Sequence, residues 1–264
     1  MAKVRAAGSA QGRTARKAAA GAPATPPPKE ANPPKTTSEA PARPREILNF
    51  PTWVWMTALV VVPLAVFLQV LGFPFTTWDD TMMVTQNPWL DPVRRATFTH
   101  FWHYPYYDFF APLLYHYYAL MVLISHALHP GPGVGLSPAI FHAANLLLHL
   151  GNVWLVFFFL RRLRFPDYAA SLGALLFSVH PLVAEPVSWI ASVDTLLTTL
   201  FCLLALHQYL YYAGIDGNGQ RRWLHFALAS IFFFLAVIAK PTALCLPVMV
   251  LVIEILQLHR PVKT

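Results

Sequence analysis

WVWMTALVVVPLAVFLQVLGFPFTTWDDTMMVTQNPWL, residues 53–90, joins a long apolar run to two adjacent carboxylates, Asp79 and Asp80. The run at 53–71 is long enough to cross a bilayer as a helix, with Trp53 and Trp55 as boundary anchors and Pro63 as an expected kink. The stretch just after it places two charges at a membrane edge, where an unpaired charge is costly and usually has a function. Two readings are open for the pair: the acidic loop of a membrane enzyme, or solvated loop residues.

Composition favours the membrane. Of 264 residues 56% are hydrophobic and only 12% charged. The basic excess is local: residues 1–45 carry nine Lys/Arg against two Glu, and residues 46–264 carry ten of each sign. That Ala/Pro-rich start has no aromatic residue, so 1–48 is expected to be a disordered, solvated, cytoplasmic tail. A nucleic-acid arm or anionic-lipid patch is the less favoured reading, and no nucleic-acid partner is expected. No apolar h-region lies near the start of the sequence, so a secretory signal is not expected. Cys202 and Cys245 stand alone in apolar runs, without metal-ligand spacing.

Charge then orders the apolar runs. Lys and Arg flank the cytoplasmic ends of spans, which places Arg161, Arg162 and Arg164, then Arg221 and Arg222, then Arg260 and Lys263, on the side of the tail. Spans are expected at 53–71, 140–160, 168–182, 196–213, 223–239 and 242–258. The run 111–128 would break this parity, and its Tyr115, His116, Tyr117, Tyr118, Ser125 and His126 suit a wet boundary, so it is expected to be re-entrant or interfacial. The fold class is therefore an all-α polytopic membrane bundle of about six spans plus one dipping helix, with an acidic outer loop at 73–110.

Polar residues collect on the outer side. His142, Asn145, His149 and Asn152 form one stripe on a helix and so face protein, lining a cavity or holding helices together. His180 and Glu185 lie between prolines in HPLVAEP, where a turn is expected, and Asp194 opens the next span. Lys240 sits between two apolar runs and needs a partner, which could be an anionic ligand or one of Asp79, Asp80 and Asp194. No two histidines have helical HxxxH spacing.

The segments WDDTMMVTQNP, FHAANLLLHL, LLFSVHPLVAEPVSWI, VDTLLTTLF and AKPTALCLP, in this order within 75–258, resemble the GT-C superfamily of integral membrane glycosyltransferases. The likeness is closest to the transmembrane O-mannosyltransferases with tetratricopeptide repeats and their bacterial relatives. It implies a polyprenyl-phosphate sugar donor, a hydroxyl-bearing protein or glycan acceptor, surrounding membrane lipids, and a bacterial inner membrane. It also implies that Asp79 is the base and Asp80 its metal or acceptor partner, the pair holding a divalent ion such as Mg or Mn. Asp194 and Lys240 would lie near the donor phosphate, supported by His180 and Glu185. The helical stripe, read as lining a cavity, adds His142 and His149 to the substrate-binding candidates.

The chain departs from the family pattern where Ala111 and Val193 stand in place of arginines and Pro241 in place of a glutamate, and no tetratricopeptide repeat is present. Lysine does not replace the bidentate phosphate contacts of arginine. The alternatives are a truncated, non-catalytic lipid-sugar binder or partner subunit, and a small transporter.

Overall fold

The first apolar run forms α1 (Thr52–Phe67), which continues through Pro63 and ends in a 3-10 turn, Leu68–Gly72. The computed structural model describes residues 50–107, 109–130, 135–214 and 223–256. The expected disordered tail and Arg221, Arg222, Arg260 and Lys263 lie outside these. After a single π-helical turn at Thr81–Thr85 come α2 (Arg95–His103), α3 (Pro112–Leu128), α4 (Pro138–Arg162), α5 (Asp167–Ser178), α6 (Pro181–Ser188), α7 (Val193–Ala213), α8 (Trp223–Ala239) and α9 (Leu246–Leu256). The described residues contain no strand.

Among the described residues three helices are long and apolar enough to cross a membrane: Thr52–Gly72, Pro138–Arg162 and Ile190–Ala213. The expected span at 168–182 is instead the bent pair α5 and α6, which meet at 57°. Pro181 causes the break, because it has no N–H to continue α5 and drives His180 out of the helical region. His180 then caps α6, its Nδ1 accepting from the Leu182 N–H at 3.2 Å, so HPLVAEP is a short helix rather than a turn. The helices α3, α8 and Pro241–Leu256 are apolar but shorter. Lys240 and Pro241 divide the apolar stretch beyond α7 into two short pieces for the same reason.

Packing fixes which ends lie together. Arg161 at the end of α4 pairs with Asp167 at the start of α5, and Asp167 also accepts from Thr52 Oγ1 at 3.0 Å. The start of α1, the end of α4 and the start of α5 therefore share one end of the bundle. In between, Leu59, Val153, Phe157, Ala170 and Ala174 form the seam of α1, α4 and α5. The fit is close: a Cβ at Gly173 would stand 2.7 Å from Leu160 Cδ1. Outward faces carry Leu147, Leu176, Phe234 and Val248, all exposed, as lipid-facing helices require.

At the opposite end a larger core gathers Phe101, Tyr115, Phe141, Ile190 and Val193. Here the surroundings expected for two tyrosines of α3 need correcting. Tyr115 and Tyr118 face the protein interior instead of a wet boundary, their hydroxyls donating to Tyr106 O at 3.3 Å and Ala191 O at 3.2 Å. Tyr106 O in the irregular segment before α3, and Ala191 O in the corner before α7, give them partners that lipid could not.

Candidate functional site

Beneath that irregular corner lies a cavity of about 190 Å³ whose wall includes Asp79, Glu185, Ser192, Asp194 and Lys240. The four titratable members come from four separate segments. Asp79 belongs to the loop after α1, Glu185 to α6, Asp194 to the first turn of α7, and Lys240 to the link after α8. Three carboxylates against one ammonium make the cavity acidic.

Asp79 and Asp80 part company here. They lie in a helical turn, not an extended strand, so their side chains diverge by about 100°. Asp79 is half-buried and faces the cavity, whereas Asp80 is 1% exposed and turned into the protein. Both Asp80 oxygens are engaged: Oδ2 accepts from the Thr76 N–H at 2.8 Å and Oδ1 from the Ala191 N–H at 2.8 Å. A carboxylate accepting backbone N–H groups is a strong, charge-assisted anchor. Asp80 thus staples the loop after α1 to the corner before α7, more than a hundred residues away. Trp189 doubles the staple by donating Nε1–H to Thr76 Oγ1 at 3.1 Å.

Lys240 has a protein partner. Its Nζ lies 3.1 Å from Asp194 Oδ2 and donates to Thr195 Oγ1 at 2.9 Å. Asp194 Oδ1 in turn accepts from the Thr195 N–H at 2.6 Å, and its position in the first turn of α7 sets it in the favourable field of the helix start. Of the partners open to Lys240 from sequence, Asp194 is the one in place. Ser192 Oγ, at 3.4 Å from Glu185 Oε1, links α6 to the same rim.

The histidines expected near a substrate sit elsewhere. His142 and His149 are buried in the stripe with Asn145 and Asn152. His149 Nε2 donates to Ser178 O at 2.9 Å, beside the α5–α6 break, and Asn152 Nδ2 donates to Leu196 O at 3.0 Å. Asn145 accepts from Tyr117 OH at 2.9 Å, and His142 packs its ring edge-on to Phe73 at 6.1 Å. His180 is exposed and caps α6. None of these three histidines is in the cavity wall.

As for the divalent ion, no three His, Cys, Asp or Glu side chains among the described residues come together to hold a metal. Asp80 is committed to backbone N–H groups, so the Asp79 and Asp80 pair does not fit such an ion. Sequence reasoning missed Thr195, Ser192 and Trp189. Thr195 alone left a signal, since Asp-Thr at a helix start is a pattern for side chains that bond nearby backbone.

Known proteins resemble the chain in part. Over 165 residues, 61% of the chain, the sequence is 30% identical to "Protein O-mannosyl-transferase TMTC2" of Mus musculus, and equally to the Homo sapiens protein of the same name. The matched part is 19% of those proteins, so the chain spans about a fifth of the relatives' length. No family profile matches the sequence, and no solved structure does. The chain is thus a helical protein of membrane type with a distant, partial likeness to a glycosyltransferase.

Proposed function

We propose that the chain is a membrane glycosyltransferase of the GT-C superfamily, moving a sugar from a polyprenyl-phosphate donor to a hydroxyl acceptor. The cavity would open to the outer face of a bacterial inner membrane, with the N-terminus cytoplasmic. One observation carries the reading: Asp79, Glu185, Asp194 and Lys240 converge from four segments on one cavity at one end of the bundle. The likeness to an O-mannosyl-transferase gives the chemistry a direction.

In this reading the acceptor hydroxyl gives its proton to the Asp79 carboxylate as its oxygen bonds to the anomeric carbon. The bond from that carbon to the phosphate oxygen breaks, and its electron pair leaves with the polyprenyl phosphate, so the configuration inverts. Lys240 lies where it could stabilise that departing charge once a phosphate competes with Asp194. Glu185 and Ser192 hold the rim.

The test is sugar transfer from a polyprenyl-phosphate sugar by the purified full chain, wild type beside Asp79→Asn. Loss of a general base lowers the rate by about 10²–10⁴-fold, and a half-buried Asp79 leaves the melting temperature of the variant nearly unchanged. A variant that turns over at the wild-type rate overturns the proposal.

A second reading is favoured by one observation: the cation in the cavity wall is already bonded to Asp194, and the wall contains no arginine. A non-catalytic relative that holds lipid-linked sugar or serves a longer transferase would look the same. Lipid-linked sugar that co-purifies with wild type but is never transferred selects this reading.

A further inference from the structure

We propose that the hollow framed by Trp78, Trp189, Thr76 and Thr77 is a pyranose-binding subsite beside the acidic cavity; this rests on the glycosyl-transfer reading and extends it. The hollow is about 450 Å³, within the ~300–1,000 Å³ of small-molecule sites. Its two indoles stand 6.4 Å apart at 70°, forming two sides of a corner. Threonine hydroxyls lie along the wall, and no charged residue is in it. A pyranose matches this surface, with an apolar C–H face for an indole and a rim of hydroxyls for the threonines. A free phosphate does not, since the hollow offers it no cation.

Two further observations separate the corner from a simple membrane anchor. An indole that anchors to headgroups leaves its N–H for them, but Trp189 donates its N–H to Thr76 Oγ1, which ties the ring to the protein's own loop after α1. Trp189 also forms part of the wall of the acidic cavity, so the two spaces border the same residue. A sugar seated against it would sit next to the space that Asp79 faces. Trp78, 73% exposed, is the open side of the corner.

The experiment is saturation-transfer NMR with methyl α-D-mannopyranoside on the full chain in phosphatidylcholine nanodiscs. Trp78→Ala is the chosen variant because so exposed a ring carries little of the fold. Trp53→Ala, also exposed, is the control at the other end of α1. Saturation of the ring C–H protons is expected for wild type and Trp53→Ala, reduced at least five-fold by Trp78→Ala and partly restored by Trp78→Phe. Displacement by a polyprenyl-phosphate sugar would assign the subsite to the donor sugar, and displacement by a glycosylated peptide to the acceptor.

Equal signals from wild type and Trp78→Ala overturn the proposal. So does tryptophan quenching by brominated acyl chains that is seen in wild type and lost in Trp78→Ala, which would put the ring in lipid. The readout needs no turnover: binding that depends on Trp78 in an inactive protein keeps the subsite and sinks the transfer reading. Turnover with donor and acceptor KM unchanged in Trp78→Ala sinks the subsite alone.

Discussion

Asp80→Asn is the substitution most able to expose an error in the site as described. The wild-type carboxylate accepts two backbone N–H bonds of 2.8 Å while 1% exposed. Asparagine keeps one acceptor oxygen and turns its NH2 group towards the other N–H. Whichever way the amide is flipped, either Thr76 N–H or Ala191 N–H loses its partner. A hydrogen bond to a charged group contributes about 1.5–3 kcal/mol. At about 2–4 °C per kcal/mol for a chain of this size, the melting temperature should fall by roughly 3–12 °C. Asp80→Ala should fall further, because both donors are stranded. Asp79→Asn should stay within about 0.5 kcal/mol of wild type, as for substitutions away from buried networks. The assay is thermal unfolding in detergent followed by tryptophan fluorescence. If Asp80→Asn melts with wild type, or if Asp79→Asn loses as much as Asp80→Asn, the two carboxylates do not divide the work as staple and cavity group.

Three more outcomes rest on single features. Lys240→Ala leaves Asp194, with an 11% exposed side chain, without its cation, and should destabilise by several degrees; Asp194→Asn with Lys240→Met should recover most of that loss, and no recovery would deny that the pair is coupled. Burial lowers the pKa of His100, whose ring stacks on Trp89 at 3.7 Å. The unfolded chain therefore binds the proton more readily, and stability should be full above about pH 7 and decline as pH falls through about 6.5. His100→Gln should flatten that limb of a melting-temperature profile; an unchanged slope assigns it to other groups. Chelation by EDTA should leave sugar transfer within about two-fold, because Asp80 is held by backbone N–H groups; abolition of transfer, restored by magnesium, would show that Asp79 recruits an ion with other carboxylates.

The long helices were legible because a bilayer demands some twenty apolar residues in a row, and α1, α4 and α7 supply them. The break at Pro181 was less so, since hydropathy alone does not see that His180 leaves the helix. In the stripe on α4, spacing showed that His142, Asn145, His149 and Asn152 face protein. The partners of His149 and Asn152, Ser178 O and Leu196 O, are backbone atoms that no residue type announces. Asp80 is hidden for the same reason, as its anchors are two N–H groups common to almost every residue. Lys240 was the easier case. A lone cation in an apolar stretch requires an anion, and Asp194 was among the few that could reach it.

The Lys240–Asp194 pair also bears on how the chain enters the membrane in the first place. A helix carrying a lysine or an aspartate at its centre pays about 2.5–3.5 kcal/mol for insertion on the translocon scale, and less towards its ends. Asp194 opens α7 and Lys240 closes α8, so the two charges come to rest at the same level of one hairpin. Synthesised alone, each helix would bring an unmatched charge to the lateral gate of the insertion channel. Delivered as a hairpin, they would neutralise each other on the way in, and α7 and α8 would then act as a single unit of biogenesis.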